Sequence, residues 1–230
     1  MRGRLPRGSL DSGVILAVAE RLAGESGLAE VTIRKVAAAL EVRHSAVHYH
    51  FRRRADLVDA LLARAVRRFN DALPVIESDD WEEHVRGYWE AYRAVLRGDP
   101  ALFELVVGQW ATMGHSQEAL DFSYVRIDAQ LKVLLSAGFT AEQAGYAYHL
   151  LSTYTRGCLV SEHQFIRFLG PGRGGARPDG STSRLPGNLD GFPSLRRVVA
   201  SGWSYTFATD ADFGNGLTVI IAGLRAWLGR

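Results

Sequence analysis

Apolar residues recur at helical spacing through almost the whole chain, and that recurrence restricts the fold to helices packed on helices. In RADLVDALLARAVRRF (54–69) they fall at 57, 58, 61, 62, 65, 66 and 69, a broad stripe along one side of a helix. In DSGVILAVAERLAGESG, Asp11 is the N-cap, Ile15, Val18, Ala19 and Leu22 share a face, and Gly27 is the stop. Thr32 caps a short helix with Ile33, Val36, Ala37 and Leu40 inward, and a tight connection, Glu41 to Arg43, leads to another at 44–50. Asp80 and Glu83 make a capping-box pattern ahead of WEEHVRGYWEAYRAVLR, and Asp99 caps a short helix through Phe103 and Val107. Further helices are predicted over 117–137, from Thr140 to about Phe168, near 194–200 and over 212–228. No segment alternates with period two, so the class is all-α. Residues 170–191 hold 7 of the 24 glycines and three prolines, too little apolar surface to fix a shape, and are expected to form a mobile loop.

The charge is unevenly distributed. Residues 1–70 carry 13 Arg/Lys against 7 Asp/Glu, while residues 71–230 carry 14 against 18. A basic first part on an acidic remainder predicts a polyanion partner for the first part alone. Two domains follow, 1–70 and 71–230. The single Cys158 excludes an intrachain disulfide and suits a reducing compartment. The apolar run VILAVA (14–19) is shorter than an export-signal core and is closed by Glu20 and Arg21. LTVIIAGL (217–224) is too short to span a bilayer. A cytoplasmic protein without a membrane partner is expected.

Within the basic part, VRHSAVHYHF (42–51) places three histidines in seven residues. His44 and His48 stand four apart, on one helix face. The neighbouring side chains are arginines, which repel cations, so no metal site is expected. Short helix, tight turn, short helix, with a supporting helix in front, is a helix-turn-helix, and 44–50 is its recognition helix. Val42 and Val47 pin it, with Phe51 beneath. His44, Ser45, Ala46, His48 and Tyr49 face outward, suited to base edges and phosphates of double-stranded DNA. Thr32, Arg34, Lys35, Arg43, His50 and Arg54 extend that surface, Arg34 as a base reader beside Tyr49 and Arg54 toward phosphates.

These residues carry a resemblance. VTIRKVAAALEVRHSAVHYHFRRRADLVDALL resembles the N-terminal domain of the TetR family of bacterial one-component regulators. The pattern is Thr-x-Arg-Lys-apolar-Ala, then Ser-Ala-Val, then an aromatic with His-Phe, then a basic residue and a Leu-rich helix. The remainder, with SAGFTAEQAGYAYHLLSTYTRG, resembles more loosely the tetracycline-repressor class of that family. The resemblance implies a repressor released from a palindromic operator by a small effector. Glu41 stands where relatives commonly have glycine; a non-glycine at positive φ costs about 1–2 kcal/mol, so a reshaped corner is expected. The usual tyrosine is His48, with the aromatic at Tyr49, which implies a different operator. Anchored on Thr155-x-Gly157, the family's ligand-contacting histidine and metal-associated glutamate are replaced by Thr153 and Ser161, and His115 is out of register. No cofactor and no obligatory metal are therefore expected.

The second part is dense in aromatic residues. Most are expected to be core, but a bundle with several Trp and Tyr suits a flat ligand. Trp89, Tyr92, Phe103, Trp110, Tyr124 and Tyr154 are the expected lining of a site for an organic, at least partly aromatic effector. LTVIIAGLRAWL is apolar on more than one face, with Ala222 and Gly223 allowing close approach, which predicts a homodimer through this helix and the one ending near 168. No catalytic constellation is present: Cys158 is an inert core thiol, and His84, His115, His149 and His163 show no ligand spacing. A DNA-binding regulator controlled by a protein partner is the alternative.

Overall fold

The computed structural model describes residues 10–108, 117–169 (side chains to Gln164), 189–201 and 209–228. Every regular element among them is helical: α1 (Ser12–Ser26), α2 (Ile33–Ala39), α3 (His44–His50), α4 (Arg54–Ala72), α5 (Trp81–Gly98), α6 (Pro100–Leu102), α7 (Gln117–Ser136), α8 (Ala141–Leu169), α9 (Pro193–Ala200) and α10 (Asp210–Leu228). Two elements were not expected. A single 3₁₀ turn, Leu28–Glu30, precedes α2, and α6 runs on as a π-helix over Phe103–Val107. Most of the 170–191 segment, residues 170–188, lies outside the described residues. Among those described, no helix is long and apolar enough to cross a membrane.

The chain divides into two compact units, 1–144 and 145–230. In the first, α3 packs on α2, α2 on α1 and α1 on α4, and Ile15, Ala19, Val36, Val47, Leu57 and Leu61 are all buried. Polar bonds reinforce this packing. Glu20 of α1, 5% exposed, accepts from Arg64 and Arg68 of α4. Arg68 also reaches Asp99 at 2.9 Å, and Asp99 caps α6 by accepting from Ala101 and Leu102. Glu104 of the π-helix accepts from the Leu28 amide at 3.1 Å, which fastens the 3₁₀ turn to it. Gly24 lets α1 close on α6: a Cβ there would stand 3.1 Å from the Ala101 backbone nitrogen.

Helix starts follow local hydrogen-bond chemistry. Asp11 and Thr32 cap as expected, accepting from Val14 and Lys35. The box at Asp80 is built differently: Asp80 accepts from Glu82, while Glu83 accepts from the Ser78 hydroxyl, which in turn accepts from Asp80 N–H. Ser78 takes the place of a direct return bond. A reciprocal box occurs at α8, where Gln143 accepts from Thr140 N–H and Thr140 accepts from Gln143 N–H.

The helix-turn-helix corner corrects the expected reshaping. Glu41 sits at φ 56°, in the left-handed region. Val42 N–H donates to Ala37 at 3.0 Å and Glu41 N–H to Ala38 at 3.1 Å, the paired bonds of a Schellman stop. The corner geometry is therefore that of a glycine, held by two bonds with a glutamate in it.

In the second unit, the α8 residues Leu151, Thr155, Cys158 and Leu159 are buried, as are Phe213, Leu217, Ile221 and Leu224 of α10. Tyr154 stacks on Phe213 (5.4 Å, 12°) and its hydroxyl donates to the Phe213 carbonyl at 3.0 Å. Gly216 makes that possible, since a Cβ there would fall 1.9 Å from the hydroxyl.

Glu41→Gly relieves the left-handed strain without touching a packed side chain. The expected outcome is a gain of about 1 kcal/mol in unfolding free energy, read by urea denaturation with unchanged m-value. A loss of stability would show that the glutamate side chain offsets its own backbone cost.

Candidate functional site

Helix α3 is pinned by one fully buried side chain and its flank. Val47 is 0% exposed and Phe51 7%, whereas Val42 is only half-buried. The rest of the helix faces away: His44, Ser45, His48, Tyr49 and His50 are exposed, Tyr49 at 83%, and Ala46 is half-buried. His44 and His48 rings sit 5.7 Å apart, and Tyr49 meets His50 edge-on at 5.4 Å. The seven-residue length and the Val47 anchor thus convert HSAVHYH into a polar ridge. Among the described residues, no group of three or more His, Cys, Asp or Glu could hold a metal ion.

The flanking basic residues divide by what they already hold. Arg34, Arg43 and Arg52 are exposed and make no ion pair with the described residues. Lys35 pairs with Glu30, whose carboxyl it holds below the usual range, first through the hydrogen bond and then through its charge. Thr32 is spent as the α2 cap. Arg53 bonds Asp56 at 2.7 Å, which likewise lowers that carboxyl. Arg54 donates from Nε to the Val31 carbonyl and from Nη2 to the Leu28 carbonyl, each at 2.8 Å. It therefore ties the start of α4 to the loop before α2, and three of its five N–H donors, two on Nη1 and one on Nη2, are left for a phosphate.

Of the expected effector residues, Trp89, Tyr92 and Phe103 are buried in the first unit. Trp89 and Tyr92 of α5 are both 1% exposed, with ring centres 5.2 Å apart. Phe69 of α4 meets Tyr92 edge-on at 4.9 Å, and Tyr88 adjoins both α5 partners. Phe103 is 7% exposed at the start of the π-helix. Tyr124 stands 57% exposed on α7, one residue round from the buried Ser123, and does not join the cluster. Tyr154 belongs to the second unit, committed to Phe213. Trp110 and His115 lie outside the described residues.

Two contributors escaped the sequence reading. Arg126 of α7, 7% exposed, lies over the Phe69 ring at 4.8 Å and 6.0 Å from the Tyr92 ring centre. Its Nη1 donates to Asn70 Oδ1, and Asn70 Nδ2 donates to the Phe122 carbonyl at 3.0 Å. The signal for Arg126 was its place in the stripe Ala119, Ser123, Arg126, Gln130 and Leu134, the buried face of α7.

Comparison with known proteins supplies the family. Residues 15–61 match the family described as bacterial regulatory proteins, tetR family, and residues 73–228 match the tetracyclin repressor-like C-terminal domain. The chain is 29% identical over 217 residues to the class C tetracycline repressor protein of Escherichia coli, covering 94% of this chain and 91% of that one. A possible TetR family transcriptional regulator from Streptomyces coelicolor A3(2) superposes with a TM-score of 0.66 at 26% identity, covering 94% of this chain and 99% of that one. ActR of Streptomyces coelicolor, solved in complex with actinorhodin, has the same fold (TM-score 0.66, 23% identity, 95% and 97% covered).

Arg54→Ala removes two charge-assisted bonds to carbonyls, so unfolding free energy should drop by about 1–3 kcal/mol. Chemical denaturation of the DNA-free protein measures this. An unchanged midpoint would return Arg54 to a purely surface role.

Proposed function

We propose that this chain, which belongs to the TetR family of bacterial regulatory proteins, is a repressor released from a palindromic operator by a small organic effector. The relatives are DNA-binding transcriptional regulators, and residues 1–70 are the DNA-binding part. The observation that carries the reading is the exposed α3 ridge on a buried Val47 anchor. His44, Ser45, Ala46, His48 and Tyr49, with Arg34, read base edges in the major groove; Lys35 and Arg43 position the helix on phosphates. Thr32 and His50 flank that surface, and Arg54 contributes mainly by bracing it.

Residues 71–230 bind the effector and a second copy. In the second unit, Tyr146, Leu150, Val219, Ile220, Gly223 and Trp227 line a groove of about 660 Å³. Tyr146 is 59%, Leu150 48% and Val219 74% exposed, a surface that favours self-association. Two copies related by a two-fold axis close α8 and α10 into a four-helix bundle. The effector site is the cluster of Trp89, Tyr92 and Phe69, with Phe103. Thr153 and Ser161 are exposed and offer no metal ligand, which supports an effector taken up without an obligatory metal, unlike the tetracycline class. Operator release follows if the effector favours a spacing of recognition helices other than the about 34–36 Å of one DNA turn.

Sedimentation at micromolar concentration should give a species near twice 25.3 kDa. Val219→Glu should shift it to monomer and weaken operator binding; a wild-type monomer would remove the two-fold model. Tyr49→Ala and Arg34→Ala should each weaken specific binding by about 1–3 kcal/mol per half-site with unchanged thermal stability. Equal loss on specific and random DNA would remove the base-reading role.

A further inference from the structure

Helix α7 turns a polar face inward: of its five buried residues, Ser123, Arg126 and Gln130 are polar. Ser123 is satisfied by the Ala119 carbonyl. Arg126 is not: its Nε is buried with no acceptor, and no carboxylate among the described residues pairs with it. Among the described residues its hydrogen-bond partner is the neutral Asn70, and its guanidinium lies near the rings of Phe69 and Tyr92. Tyr92, in the same cluster, is 1% exposed and its hydroxyl also has no partner among the described residues. A buried cation without a counter-charge is costly, and a buried donor without an acceptor adds to that cost. Arg126 Nε and the Tyr92 hydroxyl are thus two buried donors without acceptors among the described residues, beside one cluster of rings.

We propose that Arg126 and Tyr92 bind an anionic oxygen of the effector, a carboxylate or phenolate on an aromatic ring system. The charge selects the anion, and the rings of Phe69, Tyr92 and Trp89 select a flat aryl body over a small inorganic ion. This rests on the effector-responsive reading above and specifies its chemistry. It also supplies a route to the DNA-binding part. Asn70 lies in the last turn of α4, and an anion drawing on the same guanidinium alters the Arg126–Asn70 bond that fixes this end of the helix.

The test uses the full chain and paired probes: benzoate, salicylate and 1-naphthoate, each against its neutral carboxamide, by calorimetry and thermal shift. The acid of at least one pair should bind about tenfold or more tighter than its amide. Tyr92→Phe, which removes one oxygen and no volume, should weaken the acid by roughly threefold to tenfold. Arg126→Met should abolish the acid preference while raising the melting temperature of the unliganded protein, because an uncompensated charge is replaced by an apolar side chain. An arginine with only a structural role would lower it. Amides binding as tightly as acids, an acid preference surviving Arg126→Met, or no binding by any pair would each overturn the proposal. The broader reading is judged separately, by release of operator DNA: neutral compounds that release it while acids do not would overturn the anion site and leave the sensor standing.

Discussion

A carboxylate taken out of water must be met by charge, and Glu20 is the point on which the first unit turns. At 5% exposure on α1, it is matched by Arg64 and Arg68 of α4, and Arg68 is shared with Asp99, the cap of α6. Three helices are thereby referenced to one anion. Removing one partner from such a set is far more damaging than its net contribution suggests, because the rest stay buried and unmatched. Helix α4 bears the consequence along its length. Arg54 anchors its first turn to the loop ahead of α2, Arg64 and Arg68 hold its middle to α1, and Phe69 with Asn70 closes its last turn against α5 and α7. A displacement at one end of such a strut has nowhere to be absorbed before the other.

What could be read from sequence was whatever has a short-range cause. Asp11, Thr32, Asp99 and Thr140 cap where they stand because a side-chain oxygen reaches an amide two or three residues on. The Val47 and Phe51 anchors followed from period alone, as did the exposure of the residues between them. What could not be read depends on partners distant in sequence. Arg54 resembles any surface arginine until the Leu28 and Val31 carbonyls come within 2.8 Å. Tyr124 was favoured for its ring, yet the helical phase buries Arg126 and exposes the tyrosine. At Glu41 the local rule was sound and the outcome opposite: the energetic penalty of a left-handed glutamate is real, and the two bonds closing α2 outweigh it.

These exceptions are not scattered. The strained Glu41 fixes the angle at which α3 leaves α2, and the uncompensated Arg126 sits where α4, α5 and α7 converge. Both lie in the first unit.

The π-helix at Phe103–Val107 has a consequence for phase. Gly108 N–H closes its ring on the Phe103 carbonyl, five residues back where an α-helix would reach four. One supernumerary residue in that ring sets Gly108 roughly 100° out of the phase that a continuous α-helix from Pro100 would give it. Register there is set by counting residues, not by which residues they are. A homologue lacking one position in this segment would restore the α-helical phase at its end, so an alignment gap at 103–107 is equivalent to a rotation.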